Sequence, residues 1–402
     1  MTIDLADRVG QVGPSGIRRF FEIAEERDDV ISLGVGEPDF STPWAAREAA
    51  ITSLEQGRTS YTANRGKREL RESIARYVSD RYGLTYDPAE EILVTAGASE
   101  GVDLAFRAVV DPGDTVAIAQ PSYISYGPKA VFAGGEPLPV PTDEADDFRL
   151  TVDSLEAAGA ETASVLVYCY PNNPTGAIMT RADLEPIAQF ARDHDLVVFA
   201  DEIYAELTYD GDESSDGQSS PGESDHTSIA TLPGMAERTV VFNGFSKAHA
   251  MTGLRLGYAL GPADLIGAMN RIHQYTMLSA PTTPQYAAIE ALDSCQPDVA
   301  AMVGAYDRRR RFIISRFREI GMACFEAKGA FYVFPKVPPG WSDDEAFAEA
   351  LLHQEGVAVV PGSVFGADGA GHLRVSYARS LDELRQALDR IERFVEDHPN
   401  EP

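Results

Sequence analysis

Short apolar runs alternate with amphipathic stretches through the middle of the chain, which is the pattern of a parallel sheet covered by helices. One stretch, Arg181 to His194, repeats apolar residues at helical spacing and predicts a helix. The apolar runs that predict strands are Ile92 to Thr95, Val116 to Ala119, Val165 to Cys169, Val197 to Ala200 and Val240 to Phe242. We therefore expect an α/β fold with a mostly parallel sheet.

Polar residues follow each of these predicted strands. In open α/β sheets, ligands bind beyond the carboxyl ends of the strands, so polar clusters in that position predict one convergent site. The clusters are Gly97-Ala98-Ser99, Pro121-Ser122-Tyr123, Pro171-Asn172-Asn173-Pro174, Asp201-Glu202-Ile203-Tyr204 and Gly244-Phe245-Ser246-Lys247.

The pattern changes after about residue 290. A long helix with basic and acidic residues is predicted around Tyr306 to Ile320, and an apolar strand at Ala330 to Phe334. Further helices are predicted near Asp343 to Gln354 and from Leu381 onward. This order of elements predicts a separate, smaller α+β lobe.

The chain has 402 residues, of which 44% are hydrophobic, so two domains are expected rather than one small module. No apolar run is long enough to cross a membrane, and the first residues lack the basic and then apolar blocks of a signal peptide. We therefore expect a cytoplasmic protein. The three cysteines, Cys169, Cys295 and Cys324, lack metal-ligand spacing, so neither a metal site nor a disulfide framework is expected.

The charge is strongly negative, because 63 Asp and Glu residues face 34 Lys and Arg residues, giving −29. Such a field repels phosphate backbones, so no nucleic-acid partner is expected. A surface that binds a basic partner is one explanation. The acids are spread along the chain, which instead favours adaptation to a salty cytoplasm, and the composition resembles that of halophilic archaea. The stretch Asp210 to Asp225 has no apolar residue and predicts an exposed acidic loop.

Lysine is scarce, and one of the five lysines stands out. Lys247 follows an apolar strand among small residues, where desolvation would depress its pKa and make it a candidate Schiff-base nucleophile. The other four are predicted to be solvated: Lys67, Lys129, Lys328 and Lys336.

The segment Gly244-Phe245-Ser246-Lys247, followed by Gly253-Leu254-Arg255-Leu256-Gly257, resembles the pyridoxal-phosphate attachment motif of class I, aspartate aminotransferase-like aminotransferases. Other motifs of that family occur in the same order over nearly the whole chain. They are Gly36 to Phe40, Tyr61-Thr62 with Gly66 and Leu70-Arg71, Pro171 to Gly176, Asp201 to Tyr204, and His372 to Tyr377.

The resemblance implies roles around the pyridoxal 5'-phosphate ring. Lys247 would hold the cofactor as an aldimine and then act as the base at the substrate Cα. Asp201 would face the pyridine nitrogen and keep it protonated. Tyr204 and Asn173 would hydrogen-bond the phenolic oxygen of the cofactor, and Tyr123 would stack on the ring. Taken alone, Asp201 could instead cap a helix, and Tyr123 could be a packing aromatic.

The phosphate and the substrate would bind at the two ends of the ring. The backbone N–H groups of Ala98 and Ser99 lie at a predicted helix N-terminus, which attracts anions, and Arg255 would add a charged contact. Some relatives carry a hydroxyl where this chain has Gly244, and Ser246 could compensate. The substrate α-carboxylate would bind Arg374 and the Gly36 N–H; Asn173 would also border the substrate.

The resemblance thus implies a fold-type I transferase with a large domain at residues 45–290 and a small domain formed by 1–44 and 291–402. It implies a ping-pong aminotransferase acting on an amino acid and a 2-oxo acid, with no membrane or nucleic-acid partner. It also implies a homodimer in which Tyr61 reaches the cofactor phosphate of the neighbouring subunit. A C–S lyase or an aminocyclopropane-carboxylate synthase-like enzyme on the same scaffold is the alternative. The amino acid used stays open.

Overall fold

The computed structural model describes residues 4–14, 16, 29–209, 226–341 and 343–398. The predicted acidic loop at Asp210 to Asp225 lies outside these residues, so its exposure stays a prediction.

The helices and strands are numbered here in chain order. The helices are α1 (Asp7–Gly10), α2 (Trp44–Glu55), α3 (Arg68–Tyr82), α4 (Ala98–Val109), α5 (Tyr126–Ala133), α6 (Val152–Ala158), α7 (Arg181–Asp193), α8 (Ala263–Thr276), α9 (Thr282–Ser294), α10 (Gln296–Ile320), α11 (Asp344–Glu355) and α12 (Leu381–Asp397). The strands are β1 (Ile31–Ser32), β2 (Ile92–Thr95), β3 (Thr115–Gln120), β4 (Glu136–Pro141), β5 (Val165–Cys169), β6 (Val197–Asp201), β7 (Thr239–Gly244), β8 (Gly257–Leu260), β9 (Tyr332–Val333), β10 (Val357–Ala358), β11 (Val360–Pro361) and β12 (Leu373–Ser376).

A seven-stranded sheet in the order β2-β8-β7-β6-β5-β3-β4 forms the centre of the molecule. Only β8 among these strands runs antiparallel to its neighbours, and all the other pairs are parallel. The strands β2, β3, β5, β6 and β7 therefore end at the same edge of the sheet. This arrangement confirms the predicted α/β fold with a mostly parallel sheet.

Helices cover both faces of this sheet, so its central strands are apolar on both sides. In β5, Val165, Val167 and Cys169 pack into one core layer, which includes α4 and α8. The alternate residues Leu166 and Tyr168 pack into the other layer, which includes α3, α7 and α9. A continuous apolar run, rather than an alternating one, is therefore the expected sequence of such a strand.

A smaller sheet in the order β11-β12-β9 is antiparallel and lies late in the chain. The N-terminal strand β1 pairs with β10, which ties the segment before the large sheet to this later region. The segment after β1 then contacts the large sheet's carboxyl edge, since Thr42 Oγ1 donates a 2.6 Å hydrogen bond to the Ala250 carbonyl, in the turn beyond β7.

The predicted elements are confirmed with small shifts in their ends, and three differences have physical causes. The strand β4 was not predicted, because it carries three prolines, Pro137, Pro139 and Pro141. It lies at the sheet edge, where a missing N–H is tolerated. The strand β8 was not predicted, because two of its four residues, Gly257 and Ala259, are of types that are depleted in strands. Helix α10 begins at Gln296, ten residues before the predicted start, because its first turns bury Val299 and Met302.

In the described part of the chain, no helix combines the length and the apolarity needed to span a membrane.

Candidate active site

A cavity of about 340 Å³ opens at the carboxyl edge of the large sheet. All the predicted site residues except Tyr61 line it. They are Gly36, Ala98, Ser99, Tyr123, Asn173, Asp201, Tyr204, Ser246, Lys247, Arg255 and Arg374. The convergence expected from the polar strand ends is therefore present.

Lys247 lies in the tight turn after β7, and its amine points into the cavity. The Nζ atom donates a 2.6 Å hydrogen bond to the Gly36 carbonyl and lies 5.6 Å from the ring centre of Tyr204 and 5.5 Å from that of Phe331. Burial lowers the pKa of Lys247 to about 8; the Glu37 carboxylate opposes this shift, and the Arg374 charge adds to it. At pH 7, about a tenth of this amine is therefore unprotonated and available as a nucleophile or a proton acceptor, far more than for an ordinary lysine.

Asp201 is the last residue of β6, and its carboxylate is buried. Tyr126 Oη donates a 2.7 Å hydrogen bond to Oδ2, and the Ile203 N–H donates to Oδ1 at 3.2 Å. Burial nevertheless raises the pKa of Asp201 to about 6, because these two donors offset only part of the desolvation cost. Asp201 forms no ion pair with any described residue, so it can still accept a cationic partner from the cavity.

The N-terminus of α4 borders the cavity at Ala98 and Ser99. The N-cap is Gly97, with φ of 81°, and among the described residues no side chain caps the helix. The guanidinium of Arg255 lies so close that a Cβ added to Gly97 would be 2.6 Å from Nη2. A positive helix end and an arginine together favour an anion such as a phosphate group.

Arg374 lies in β12 and is only 4% exposed. Its Nη1 donates to Asn173 Oδ1 at 3.0 Å and its Nη2 to the Gly34 carbonyl at 2.6 Å. Its Nε has no hydrogen-bond partner in the described part of the chain. A buried guanidinium with an unused donor and no ion pair to a described residue fits a carboxylate ligand.

Three further predicted residues line the same cavity: Tyr204, Tyr123 and Ser246. Tyr204 is buried and its hydroxyl is 2.9 Å from the hydroxyl of Tyr332. The ring of Tyr123 packs edge-on against Tyr126, with 5.6 Å between the ring centres. Ser246, directly before Lys247, is also buried at the cavity wall.

Tyr61 is the predicted residue that this cavity does not contain. Its side chain is 81% exposed, and it borders a separate shallow groove with Ser60, Thr62 and Tyr286. The role predicted for the Gly36 N–H stays a prediction, since the contact present here is made by the Gly36 carbonyl.

Two lysines differ from their predicted solvated state. Lys129 lines the cavity with a side chain that is 17% exposed, and its Nζ donates to the Ser99 carbonyl at 3.0 Å. The side chain of Lys67 is 16% exposed, with Nζ 4.6 Å from the ring centre of Tyr286. The prediction was wrong for both because their neighbours, α4 for Lys129 and α9 for Lys67, are distant in sequence.

Two tyrosines that line the cavity, Tyr126 and Tyr332, were not predicted from the sequence. Tyr126 lies three residues beyond the cluster that ends in Tyr123, and the first turn of α5 brings it back to Asp201. Tyr332 lies in the predicted strand Ala330 to Phe334, where an aromatic residue looks like ordinary core. No local pattern distinguishes either residue from a packing tyrosine.

The cavity thus offers four groups in one enclosure: an amine of lowered pKa, a buried carboxylate that forms no ion pair with a described residue, a helix N-terminus beside an arginine, and a second buried arginine. These groups fit pyridoxal phosphate, which has an aldehyde, a pyridine nitrogen and a phosphate, together with a substrate carboxylate. Fold and site together define the class of fold-type I, pyridoxal-phosphate-dependent enzymes.

Comparison with known proteins gives the family. Residues 28–391 match the family described as aminotransferase class I and II. An aspartate aminotransferase of Pyrococcus abyssi is 41% identical over 393 residues, covering 97% of this chain and 98% of that one. The crystal structure of an aromatic aminotransferase of Pyrococcus horikoshii has a TM-score of 0.87 at 41% identity, covering 94% of this chain and 99% of that one. Thermus thermophilus aspartate aminotransferase, solved with maleate, has a TM-score of 0.90 at 36% identity, covering 98% and 100%.

The chain belongs to the class I and II aminotransferase family. It is a pyridoxal-phosphate-dependent aminotransferase that moves an amino group from an amino acid to a 2-oxo acid. These relatives do not favour the lyase or synthase alternative.

Proposed function

We propose that Lys247 is the residue that binds the cofactor and then moves the substrate proton in this aminotransferase. The observation that carries the proposal is the position of Nζ, beside the rings of Tyr204 and Phe331. Lys247 lines the same cavity as Asp201 and Arg374. When bound, pyridoxal phosphate supplies an electron sink for the charge that develops at the substrate Cα. The lowered pKa of Lys247 suits an amine that must both attack a carbonyl and accept a proton.

Asp201 is proposed to pair with the protonated pyridine nitrogen. A buried carboxylate that has only hydrogen-bond donors gains most from a cation placed against it, because opposite charges favour its ionised form. Tyr126 supports this role, since its hydroxyl fixes one carboxylate oxygen from the side of α5.

The phosphate is proposed to bind the N–H groups of Ala98 and Ser99, with Arg255 and Ser246 as further donors. The uncapped start of α4 and the nearby guanidinium support this assignment. Tyr123 would lie against the ring face.

The substrate carboxylate is proposed to bind Arg374, with Asn173 and Gly36 beside it. Asn173 already orients one guanidinium nitrogen, and Arg374 lines the cavity without an ion pair to a described residue. Tyr204 would donate to the phenolic oxygen of the cofactor, since it lines the same cavity.

We also propose that residues 45–290 form the large domain and that residues 1–44 with 291–402 form the small one. The seven-stranded sheet falls within the first range and the three-stranded sheet within the second. In this division Arg374 belongs to the small domain and Asn173 to the large one, so the hydrogen bond between them crosses the active site.

The enzyme is proposed to be a homodimer with shared sites. Tyr61 is exposed and lies outside its own cavity. Its segment contacts that of the exposed Leu278, since Asn64 Nδ2 donates a 2.6 Å hydrogen bond to the Leu278 carbonyl. Large apolar side chains that are exposed on this chain include Trp44, Ile51, Leu54, Tyr275, Met277 and Leu278. Such exposure in a monomer marks surfaces that other chains cover, and a two-fold interface would bring the partner copy's own Tyr61 region to this one.

A salty cytoplasm is proposed as the working environment. The support is the formal charge of −29, which arises from acids distributed along the whole chain. Repulsion among these carboxylates is relieved when salt shortens the screening length.

The first prediction concerns Lys247. Lys247→Ala should lower turnover by about 10²-fold to 10⁴-fold or more, because it removes the proposed base, while cofactor stays bound through the other contacts. Turnover and cofactor absorbance of the purified variant are the measurements, with Lys336→Ala as the control, since Lys336 lies outside the cavity. Turnover of Lys247→Ala near the wild-type value would contradict the proposal.

The second prediction concerns the shared site. The assay uses a cofactor concentration at which the Tyr61→Ala variant binds little cofactor. At that concentration, Tyr61→Ala and Lys247→Ala should each be nearly inactive. In a mixed dimer, the chain that keeps Lys247 receives Tyr61 from its partner, so one of the two sites is intact. Random exchange should then restore about a quarter of the wild-type activity.

Subunit exchange is verified separately, by native mass spectrometry of differently tagged chains. If exchange occurs and activity does not return, Tyr61 serves its own subunit and the shared-site proposal is wrong.

The third prediction concerns salt. The melting temperature and the activity should rise as KCl is raised from dilute buffer to the molar range, where the screening length falls to about 3 Å. Differential scanning calorimetry and rate measurements across the series test this. A melting temperature that stays constant from dilute buffer to molar KCl would contradict the proposal.

A further inference from the structure

Tyr332 lines the active-site cavity, yet it has no role in the proposal above. It lies in β9, late in the chain, and its side chain is 1% exposed. It contacts three residues to which roles were given: Tyr204, Arg374 and Gly36.

The contact with Tyr204 joins two buried phenols. Their hydroxyl oxygens are 2.9 Å apart, and the rings meet edge to face with 5.8 Å between their centres. Tyr204 is 3% exposed, so neither hydroxyl can exchange this partner for bulk water.

The contact with Arg374 is made by the ring of Tyr332. The guanidinium carbon lies 4.7 Å from the ring centre of Tyr332 and 4.8 Å from that of Phe365. Aromatic faces attract a guanidinium, so these rings help to hold Arg374 in the orientation that its two hydrogen bonds define.

The contact with Gly36 explains why no side chain can stand at that position. A Cβ added to Gly36 would lie 2.3 Å from the hydroxyl oxygen of Tyr332, a distance that real Cβ atoms do not adopt. The hydroxyl therefore fills the space next to the carbonyl that receives the Lys247 hydrogen bond.

The number of protons in the phenol pair decides what Tyr332 can do. Each hydroxyl has one proton to donate and two lone pairs, so the pair uses one proton internally and keeps one. If Tyr332 donates to Tyr204, the remaining proton is the one on Tyr204, which is free to point into the cavity.

We propose that Tyr332 is a positioning residue that donates to Tyr204, directs the Tyr204 proton toward the cofactor, and holds Arg374 with its ring. This inference rests on the proposed function, since it needs Tyr204 to face the phenolic oxygen of pyridoxal phosphate. A hydrogen-bond donor to Tyr204 makes Tyr204 itself a stronger donor. One side chain thereby couples the cofactor contact to the substrate contact.

The direction of the effect follows from this geometry. A hydrogen bond donated by Tyr204 to the phenolic oxygen of the cofactor favours the deprotonated form of the cofactor. Removal of the Tyr332 hydroxyl weakens the Tyr204 donor, so the pH midpoint of the visible absorbance change of the bound cofactor should rise. The other titratable groups that face the two phenols are retained in all the variants, so their fields act in all of them. They are Lys247, Arg374, Cys169 and Tyr123.

The test is a double-mutant cycle on the holoenzyme, read by absorbance against pH. Tyr204→Phe, Tyr332→Phe and the double variant are compared with the wild type. Tyr209→Phe is the matched control, since Tyr209 is equally buried, donates to the Ala330 carbonyl and does not line the cavity. We expect Tyr332→Phe to raise the midpoint by about half a pH unit or more, and Tyr209→Phe to leave it unchanged.

The effect of Tyr332→Phe is compared in two backgrounds, the wild type and Tyr204→Phe. If Tyr332 acts through Tyr204, Tyr332→Phe shifts the midpoint in the wild type and not in Tyr204→Phe. A shift of the same size in both backgrounds, or none in the wild type while Tyr204→Phe does shift the midpoint, would overturn the inference and leave the proposed function standing. No shift in Tyr204→Phe would instead overturn the proposed role of Tyr204, and the inference with it.

The ring is tested separately with maleate, a dicarboxylate probe for Arg374. Tyr332→Phe keeps the ring and should bind maleate as the wild type does, whereas Tyr332→Leu should bind it several-fold more weakly. Equal maleate affinity in the Phe and Leu variants would contradict the part assigned to the ring.

Discussion

Burial of charged groups that form no ion pair with a described residue is the constraint on which this active site depends. Asp201, Lys247 and Arg374 border one cavity, and none of them forms an ion pair with a described residue. A charge removed from water is costly unless it is paired, so such an arrangement is stable only where the fold supplies other contacts or a ligand supplies the partner. Here hydrogen bonds from Tyr126 to Asp201, and from Arg374 to Asn173, meet part of that cost.

The fold explains why these groups meet although they are far apart in sequence. Parallel strands bring Asp201 and the turn with Lys247 to one edge of the large sheet, while β12 contributes Arg374 from the three-stranded sheet. The segment that follows β1 adds Gly34 and Gly36, whose carbonyls accept hydrogen bonds from Arg374 and Lys247. The cavity is thus assembled from both sheets and from the N-terminal segment, which links their packing to the binding of the cofactor and the substrate.

Most of the fold could be predicted from the sequence because its signals are local, whereas the cavity residues Gly36, Arg255 and Arg374 were predicted from the resemblance to class I aminotransferases. Continuous apolar runs with polar residues at their ends indicate buried parallel strands, and β2 and β5 begin and end at the predicted residues. The residues that escaped prediction act through distant partners. Lys129 contacts α4, Tyr126 contacts β6, and Tyr332 contacts Tyr204 and Arg374. Their meaning depends on tertiary packing, which hydrophobic periodicity does not encode.

The most direct test of the central claim is the stability of the cofactor-free enzyme as a function of pH, compared between wild type and Asp201→Asn. Because burial raises the pKa of Asp201 from 3.8 to about 6, its ionisation favours the unfolded chain as the pH rises through this range. Between pH 4 and pH 8, the free energy of unfolding of the wild type should therefore fall by on the order of 2 to 3 kcal/mol relative to that of Asp201→Asn. Near pH 4 the two proteins should differ little in this free energy.

The exposed Asp195→Asn serves as the control and should show no such gain. Chemical denaturation at each pH measures the free energy of unfolding, and pyridoxal phosphate should then stabilise the wild type more than Asp201→Asn. A cofactor-free Asp201→Asn protein that is less stable than the wild type at pH 8 would contradict the claim that Asp201 is held without a cationic partner.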